Sequence, residues 1–270
     1  MSKTWPIEIN GQVAVLKLYK PPVNALDQPD LAELAVSVQQ IEEDSAVRAV
    51  IITSSLKGVF CAGGDLKYWP QVYRNHPDAI YEAGRRAFMP IERLTKPSIA
   101  AIQGRVIGDG LSLALACDIV VAAKGSTFHL PEVEYGFIPG WGTIGRLVRK
   151  MGSARTMELL LLGEPVMAAD ARTMGLVSRV VALDDLTPTA ESMAAQLAAK
   201  PPTALRYAKA AVLGRATKGL PDQEAWESHC FASVWGSEEW EEGIRKLFGA
   251  TTVAAQEVPD EGPNRVSRVL

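Results

Sequence analysis

The chain has 270 residues, 47% of them apolar and 22% charged, enough for one large domain or one and a half ordinary ones with a sizeable core. The formal net charge of −3 gives no electrostatic reason to expect nucleic acid or an anionic membrane surface as a partner. Cys61, Cys117 and Cys230 lie far apart without metal-ligand spacing, and His76, His129 and His229 are scattered, so no metal site is expected. An odd number of cysteines without a framework points to reduced thiols and a cytoplasmic (cytosolic) compartment. The segment 1–6 lacks the apolar region of a secretory signal. The most apolar stretch, 106–123, is interrupted by Asp109 and Asp118, so it reads as a buried helix and strand rather than a membrane span.

In chain order, 13–18 reads as a strand after the Asn10-Gly11 turn signal. Leu31, Leu34, Ala35, Val38 and Ile41 recur at helical spacing, which predicts a helix over 30–44 with Pro29 at its entry. The branched apolar run 49–53 suits a strand buried on both faces. A helix ending at 91–94, a strand at 98–102, a helix at 111–116 and strands at 119–122 and 177–181 continue the alternation and place the chain in the α/β class. From about Leu186 strand signals stop. Helical patterns at 189–199, 203–214, 221–235 and 238–248 read as an appendage, with Pro201-Pro202 separating the first two. The expected division is a core over 1–199 and a helical region with a polar tail over 200–270.

Three strand-to-helix junctions have residues suited to chemistry. In Phe60-Cys61-Ala62-Gly63-Gly64-Asp65-Leu66-Lys67, paired glycines permit close backbone approach, and Asp65 can cap the following helix. In 102–113, glycines bare the backbone at a helix N-terminus, where unpaired N–H groups and the dipole favour negative charge. That segment lacks the Gly-Lys-Ser/Thr ending of a P-loop, and Ser112 is not placed as a nucleophile elbow. In 129–142, Glu132 sits among apolar residues after a strand, where desolvation raises a carboxyl pKa towards acid–base use. Glu134 reads as the surface carboxylate of the two.

Taken together and in order, these segments resemble the crotonase family, also called the enoyl-CoA hydratase/isomerase family. The likeness runs from about Val13 to Leu247. It includes Pro22-Val23-Asn24-Ala25-Leu26, Cys61-Ala62-Gly63-Gly64-Asp65-Leu66-Lys67, Lys96-Pro97, Ile102-Gln103-Gly104, Cys117-Asp118-Ile119, Pro131-Glu132, Ile138-Pro139-Gly140 and Gly175-Leu176-Val177. The resemblance implies a spiral of ββα units with two packed sheets and C-terminal helices that assemble homotrimers or homohexamers. It implies an acyl-CoA thioester as substrate and no separate cofactor. On the matching positions, the backbone N–H groups of Gly64 and Asp109 would hold the thioester oxygen. Coenzyme A would lie along Val23, Ala25, Leu26, Ala62, Gly63, Asp65 and Leu66.

Two departures bear on the reaction. Hydratases of this family use two glutamates, and while Glu132 matches the second, the first falls on Ser112. A single carboxylate matches an isomerase that moves one proton between carbons. Proton shuttling by Glu132 is therefore favoured over hydration by Glu132 with Ser112, and a non-catalytic acyl-CoA-binding or scaffold protein is the alternative of another class. The second departure is Asp109, which replaces the middle glycine of the family's glycine run and is expected to act as a helix N-cap. Tyr68, Trp69 and Trp141 are aromatic where they could narrow the acyl pocket or serve as ordinary packing.

Overall fold

The computed structural model describes residues 4–73, 76–215 and 220–248. It opens with an antiparallel hairpin of β1 (Ile7–Asn10) and β2 (Val13–Leu18). α1 (Gln28–Glu43) begins two residues before the expected Asp30, because Asp27 is its N-cap. Asp27 accepts the Asp30 N–H at 3.0 Å and the Asp30 carboxylate accepts the Asp27 N–H at 2.9 Å. This reciprocal pair satisfies donors that a helix start otherwise leaves unpaired.

There follow β3 (Ala49–Ser54), β4 (Val59–Cys61), α2 (Tyr68–Tyr73), α3 (Pro77–Arg93), β5 (Ser98–Ile102), β6 (Arg105–Ile107) and α4 (Asp109–Ala116). Next come β7 (Ile119–Ala123), β8 (Thr127–His129), a 3-10 turn over Glu132–Tyr135, α5 (Thr143–Leu162), β9 (Val166–Met167), α6 (Ala168–Met174) and β10 (Arg179–Val181). The helices α7 (Leu186–Ala198), α8 (Pro202–Arg215), α9 (Leu220–Ala232) and α10 (Glu238–Phe248) complete the described chain.

One sheet has the order β1-β2-β3-β5-β7-β10, parallel from β2 onwards, and the other the order β4-β6-β8-β9. The chain passes from β3 to β4, from β5 to β6 and from β7 to β8, each time leaving the first sheet for the second. Helices return it to the first sheet after β4 and β6, and after β8 the chain passes through α5 and β9 before α6 leads to β10; the repeating unit is ββα and the path is a spiral. The two- and three-residue strands of the second sheet are too short to show a period in sequence, which is why they were not anticipated.

Alternation along β3 explains its unbroken apolar run. Val50 and Ile52 face the main core with Phe60, Phe88, Leu111 and Phe128, whereas Ala49 and Ile51 face α7. On α7, Leu186, Ala190, Ala194 and Ala198 recur every four residues and lie on this second face. The small alanine side chains let the helix approach the sheet closely. α7 is thus a cover of the core sheet. α8 is tied back by an ion pair from Lys209 to Asp118 at 2.9 Å. Among the described residues no helix is long and apolar enough to cross a membrane. The polar tail after Gly249 lies outside the described residues.

Close packing of α7 makes Ala194, with no exposed surface, sensitive to added volume. Ala194→Leu is expected to destabilise the fold by about 1–3 kcal/mol, read as a lower urea midpoint at unchanged m-value.

Candidate active site

The site begins with a buried asparagine that sequence reading did not single out as functional. Asn24 has φ +56° and no exposed surface. Its Oδ1 accepts the Lys20 N–H at 2.7 Å, and its Nδ2 donates to Ser54 Oγ at 2.8 Å and to the Phe60 carbonyl at 2.9 Å. These bonds lay the segment 23–26 along the loop after β4. The Ala62 N–H then donates to Val23 O, the Leu26 N–H to Gly63 O and the Asp65 N–H to Leu26 O, at 3.2, 2.8 and 2.8 Å. Val23, Ala25, Leu26, Ala62, Gly63 and Asp65 are therefore one continuous strip, with Leu66 exposed at its end. Asp65 Oδ1 accepts the N–H groups of Lys67 and Tyr68 and so caps the start of α2.

This loop meets the N-terminus of α4. Gly63 has φ +83°, and a Cβ there would lie 2.9 Å from Ile107 O and 3.0 Å from Asp109 N. Only glycine permits both that backbone angle and that approach. The contact sets the Gly63–Gly64 backbone against the start of α4, so that the N–H groups of Gly64 and Asp109 belong to adjoining segments. Among the described residues neither N–H donates to a protein acceptor. Asp109 is the first helical residue after the cap Gly108, and such leading N–H groups have no partner within the helix. The helix dipole adds a favourable field for negative charge at this end.

Glu132 enters from the 3-10 turn that follows β8 and is only 3% exposed. Its Oε1 would lie 2.8 Å from a Cβ on Gly108, which sets the carboxylate beside the start of α4. Its Oε2 is buried with no hydrogen-bond partner. Burial, reinforced by the nearby Asp109 charge, pushes the Glu132 carboxyl up to about 7. Glu134, one turn position away, is exposed, as its sequence context suggested.

Asp109 does not cap α4. The helix already has Gly108 as its cap, and the Asp109 side chain turns away to the next loop. Its Oδ1 accepts the Gly140 N–H at 3.0 Å and the Thr143 hydroxyl at 3.2 Å. Burial raises its carboxyl to about 6 in spite of those two donors. The site therefore contains two carboxyls that both lose protons near neutrality.

Ser112 is fully buried and its hydroxyl is engaged on both sides. It donates to the Trp141 carbonyl at 2.9 Å and accepts from Arg146 Nη1 at 2.9 Å. Arg146 also donates to the Trp141 carbonyl and pairs with Glu92 at 2.9 Å. Nothing in the local sequence pattern marks Arg146 or Thr143, whose side-chain partners include Ser112 and Glu92 for the one and Asp109 for the other, all distant in the chain. Tyr68 packs edge-on against Trp69, with ring centroids 5.4 Å apart, and Trp69 in turn lies edge-on to Trp141 at 5.9 Å. A separate cleft of about 470 Å³ between α4, α5 and α8 shares Glu92 and Arg146 but none of Gly64, Asp109 or Glu132. Among the described residues no cluster of three His, Cys, Asp or Glu is placed to hold a metal ion.

Burying Glu132 has a pH-dependent cost. Its folded pKa of about 7 lies above the ordinary 4.5, so below pH 4.5 both states are protonated and nothing is lost. Between 4.5 and 7 the unfolded chain releases its proton first and stability falls; above 7 the full cost is present. Glu132→Gln is expected to stabilise the fold by up to about 3 kcal/mol at pH 8 and by almost nothing near pH 4, measured by denaturant titration at both.

The sequence profile of the family described as Enoyl-CoA hydratase/isomerase matches residues 8–248. A probable enoyl-CoA hydratase of Bacillus subtilis is 36% identical over 245 residues, covering 90% of this chain and 94% of its own. A short-chain-enoyl-CoA hydratase of Clostridium acetobutylicum is 31% identical over 239 residues, 88% of this chain and 92% of its own. Among solved structures, enoyl-CoA hydratase from Bacillus anthracis superposes with a TM-score of 0.86 at 30% identity, covering 90% of this chain and 95% of that one. The spiral of ββα units described above is the fold of these enzymes. The chain belongs to the enoyl-CoA hydratase/isomerase family of lyases and isomerases.

Proposed function

We propose that this enzyme binds an acyl-CoA thioester with its carbonyl oxygen between the N–H groups of Gly64 and Asp109, and that Glu132 moves a proton on the acyl chain. The observation that carries this reading is the buried, unpartnered Oε2 of Glu132 beside the first turn of α4. With a 3-enoyl thioester, the Glu132 carboxylate takes a proton from C2. The electron pair moves onto the thioester oxygen, and the two N–H groups stabilise the resulting dienolate. Glu132 then returns the proton at C4 and the double bond settles between C2 and C3. A backbone donor aimed at such an oxygen is worth about 100- to 1000-fold in rate. A carboxyl that titrates near 7 both accepts and returns a proton at neutral pH.

Hydration of a 2-enoyl thioester is the second reading. It is favoured by the naming of the relatives as hydratases and by the presence of Asp109 as a second carboxyl in the site. In the form with Glu132 and Ser112 sharing a water, Ser112 would have to leave the Trp141 carbonyl and Arg146, which speaks for the proton shuttle. The same proposal includes assembly as a homotrimer or homohexamer. Met157 and Leu161, exposed one turn apart on α5, are apolar surface that such an assembly would cover.

Glu132→Gln is expected to lower turnover of a 3-enoyl-CoA by about 10²- to 10⁴-fold. In the unmodified enzyme kcat/KM should rise with pH through about 7 as Glu132 ionises. Asp109→Asn keeps the backbone N–H but removes a charge that raises the Glu132 pKa, so the rise should move to lower pH. Full activity of Glu132→Gln would overturn the reading.

A further inference from the structure

Trp141 is held in an unusual backbone conformation beside the site. It is 2% exposed, and its φ of +51° is a conformation that residues with side chains rarely adopt. Four attachments keep it there. Its indole N–H donates to the Ile80 carbonyl of α3 at 2.9 Å. Its own carbonyl accepts from Ser112 Oγ and Arg146 Nη1 at 2.9 and 2.7 Å. The preceding Gly140 N–H is held by Asp109 Oδ1. On α3 a seat is cut for the ring, since a Cβ on Gly84 would fall 2.0 Å from Trp141 Cγ. Glycine inside a helix is unfavourable, and here its lack of a side chain is what admits the indole.

The ring so fixed reaches the oxyanion-binding loop. A Cβ position on Gly64 is 3.4 Å from Trp141 Cη2 and 3.3 Å from Trp69 Nε1, both ring atoms in van der Waals range of the residue whose N–H faces the thioester oxygen. Phe88 backs Trp141 edge-on, with centroids 5.4 Å apart, and has no exposed surface. Trp69 is anchored in turn by its own N–H on the Leu26 carbonyl at 2.9 Å. The Cβ side of Gly64 is therefore covered by two indoles that are hydrogen-bonded and packed against further side chains.

We propose that Trp141 is a specificity-determining residue that closes the acyl end of the site, so that this enzyme takes thioesters with short acyl groups and excludes long ones. The inference rests on the acyl-CoA reading above. It also gives the Ser112, Arg146 and Asp109 side chains a shared task as positioning residues that fix this wall. A well-packed wall discriminates by overlap, because added methylenes force displacement of side chains that have nowhere to move.

Calorimetric binding of saturated, unreactive thioesters tests this without requiring turnover. Butyryl-CoA is expected to bind at least about tenfold more tightly than octanoyl-CoA to the unmodified enzyme. Trp141→Gly suits the positive φ and removes the ring, and should bring octanoyl-CoA to within about threefold of butyryl-CoA. Trp141→Leu provides a second variant with a smaller apolar side chain and should shift the preference in the same direction. Equal affinity for the two thioesters in the unmodified enzyme would overturn the proposal, as would a preference that both variants leave unchanged. Absence of binding by either thioester would overturn the acyl-CoA reading itself, and this inference with it.

Discussion

The site depends on one backbone contact, the approach of Gly63 to the first residue of α4. Because Gly63 has no side chain, the loop after β4 lies directly against Asp109 N. Backbone from two different turns of the spiral, carrying the Gly64 and Asp109 N–H groups, is thereby adjoined. Each half of the contact is supplied by a different sheet-to-helix crossover, and the parallel pairing of β4 with β6 sets the two crossovers side by side. An acceptor at this point would meet fixed dipoles that need no reorganisation when negative charge develops.

Around that point the protein accepts electrostatic cost. Glu132 is buried without a partner for one oxygen, and Asp109 is close enough to raise its pKa further. Neither arrangement favours the folded state above neutral pH. Both place carboxyls that titrate near 6 and 7 within a site lined by apolar rings. Perturbed groups gathered in this way mark functional sites more often than structural ones. The Ser112–Arg146–Glu92 chain has a different character. It is largely satisfied and orients the 140–143 loop, so its polar groups support geometry rather than exchange protons.

Much of this was legible in the sequence. The apolar run 49–53 announced a strand covered on both faces, and Glu132 after a strand announced a desolvated carboxyl; both readings rest on local composition. What escaped were features fixed by distant partners. Asp109 looked like a helix cap because aspartate before an apolar run usually is one, yet its acceptor is used 31 residues away at Gly140. Ser112 looked available for water because sequence gives no sign that Trp141 and Arg146 close over it. The short strands of the second sheet escaped because two or three residues cannot display a period.

The central claim is that Glu132 exchanges a proton at the carbon beside a thioester carbonyl held by Gly64 and Asp109. Proton NMR of a 3-enoyl-CoA with the enzyme in D2O tests it most directly, because it follows deuterium uptake at C2 and C4, migration of the double bond and water addition together. The account predicts migration of the double bond without a 3-hydroxyacyl product, with exchanged deuterium entering at C4 of the 2-enoyl product and, on reversal, at C2 of the remaining 3-enoyl thioester, all lost in Glu132→Gln. Deuterium uptake that persists at the unmodified rate in Glu132→Gln would contradict it.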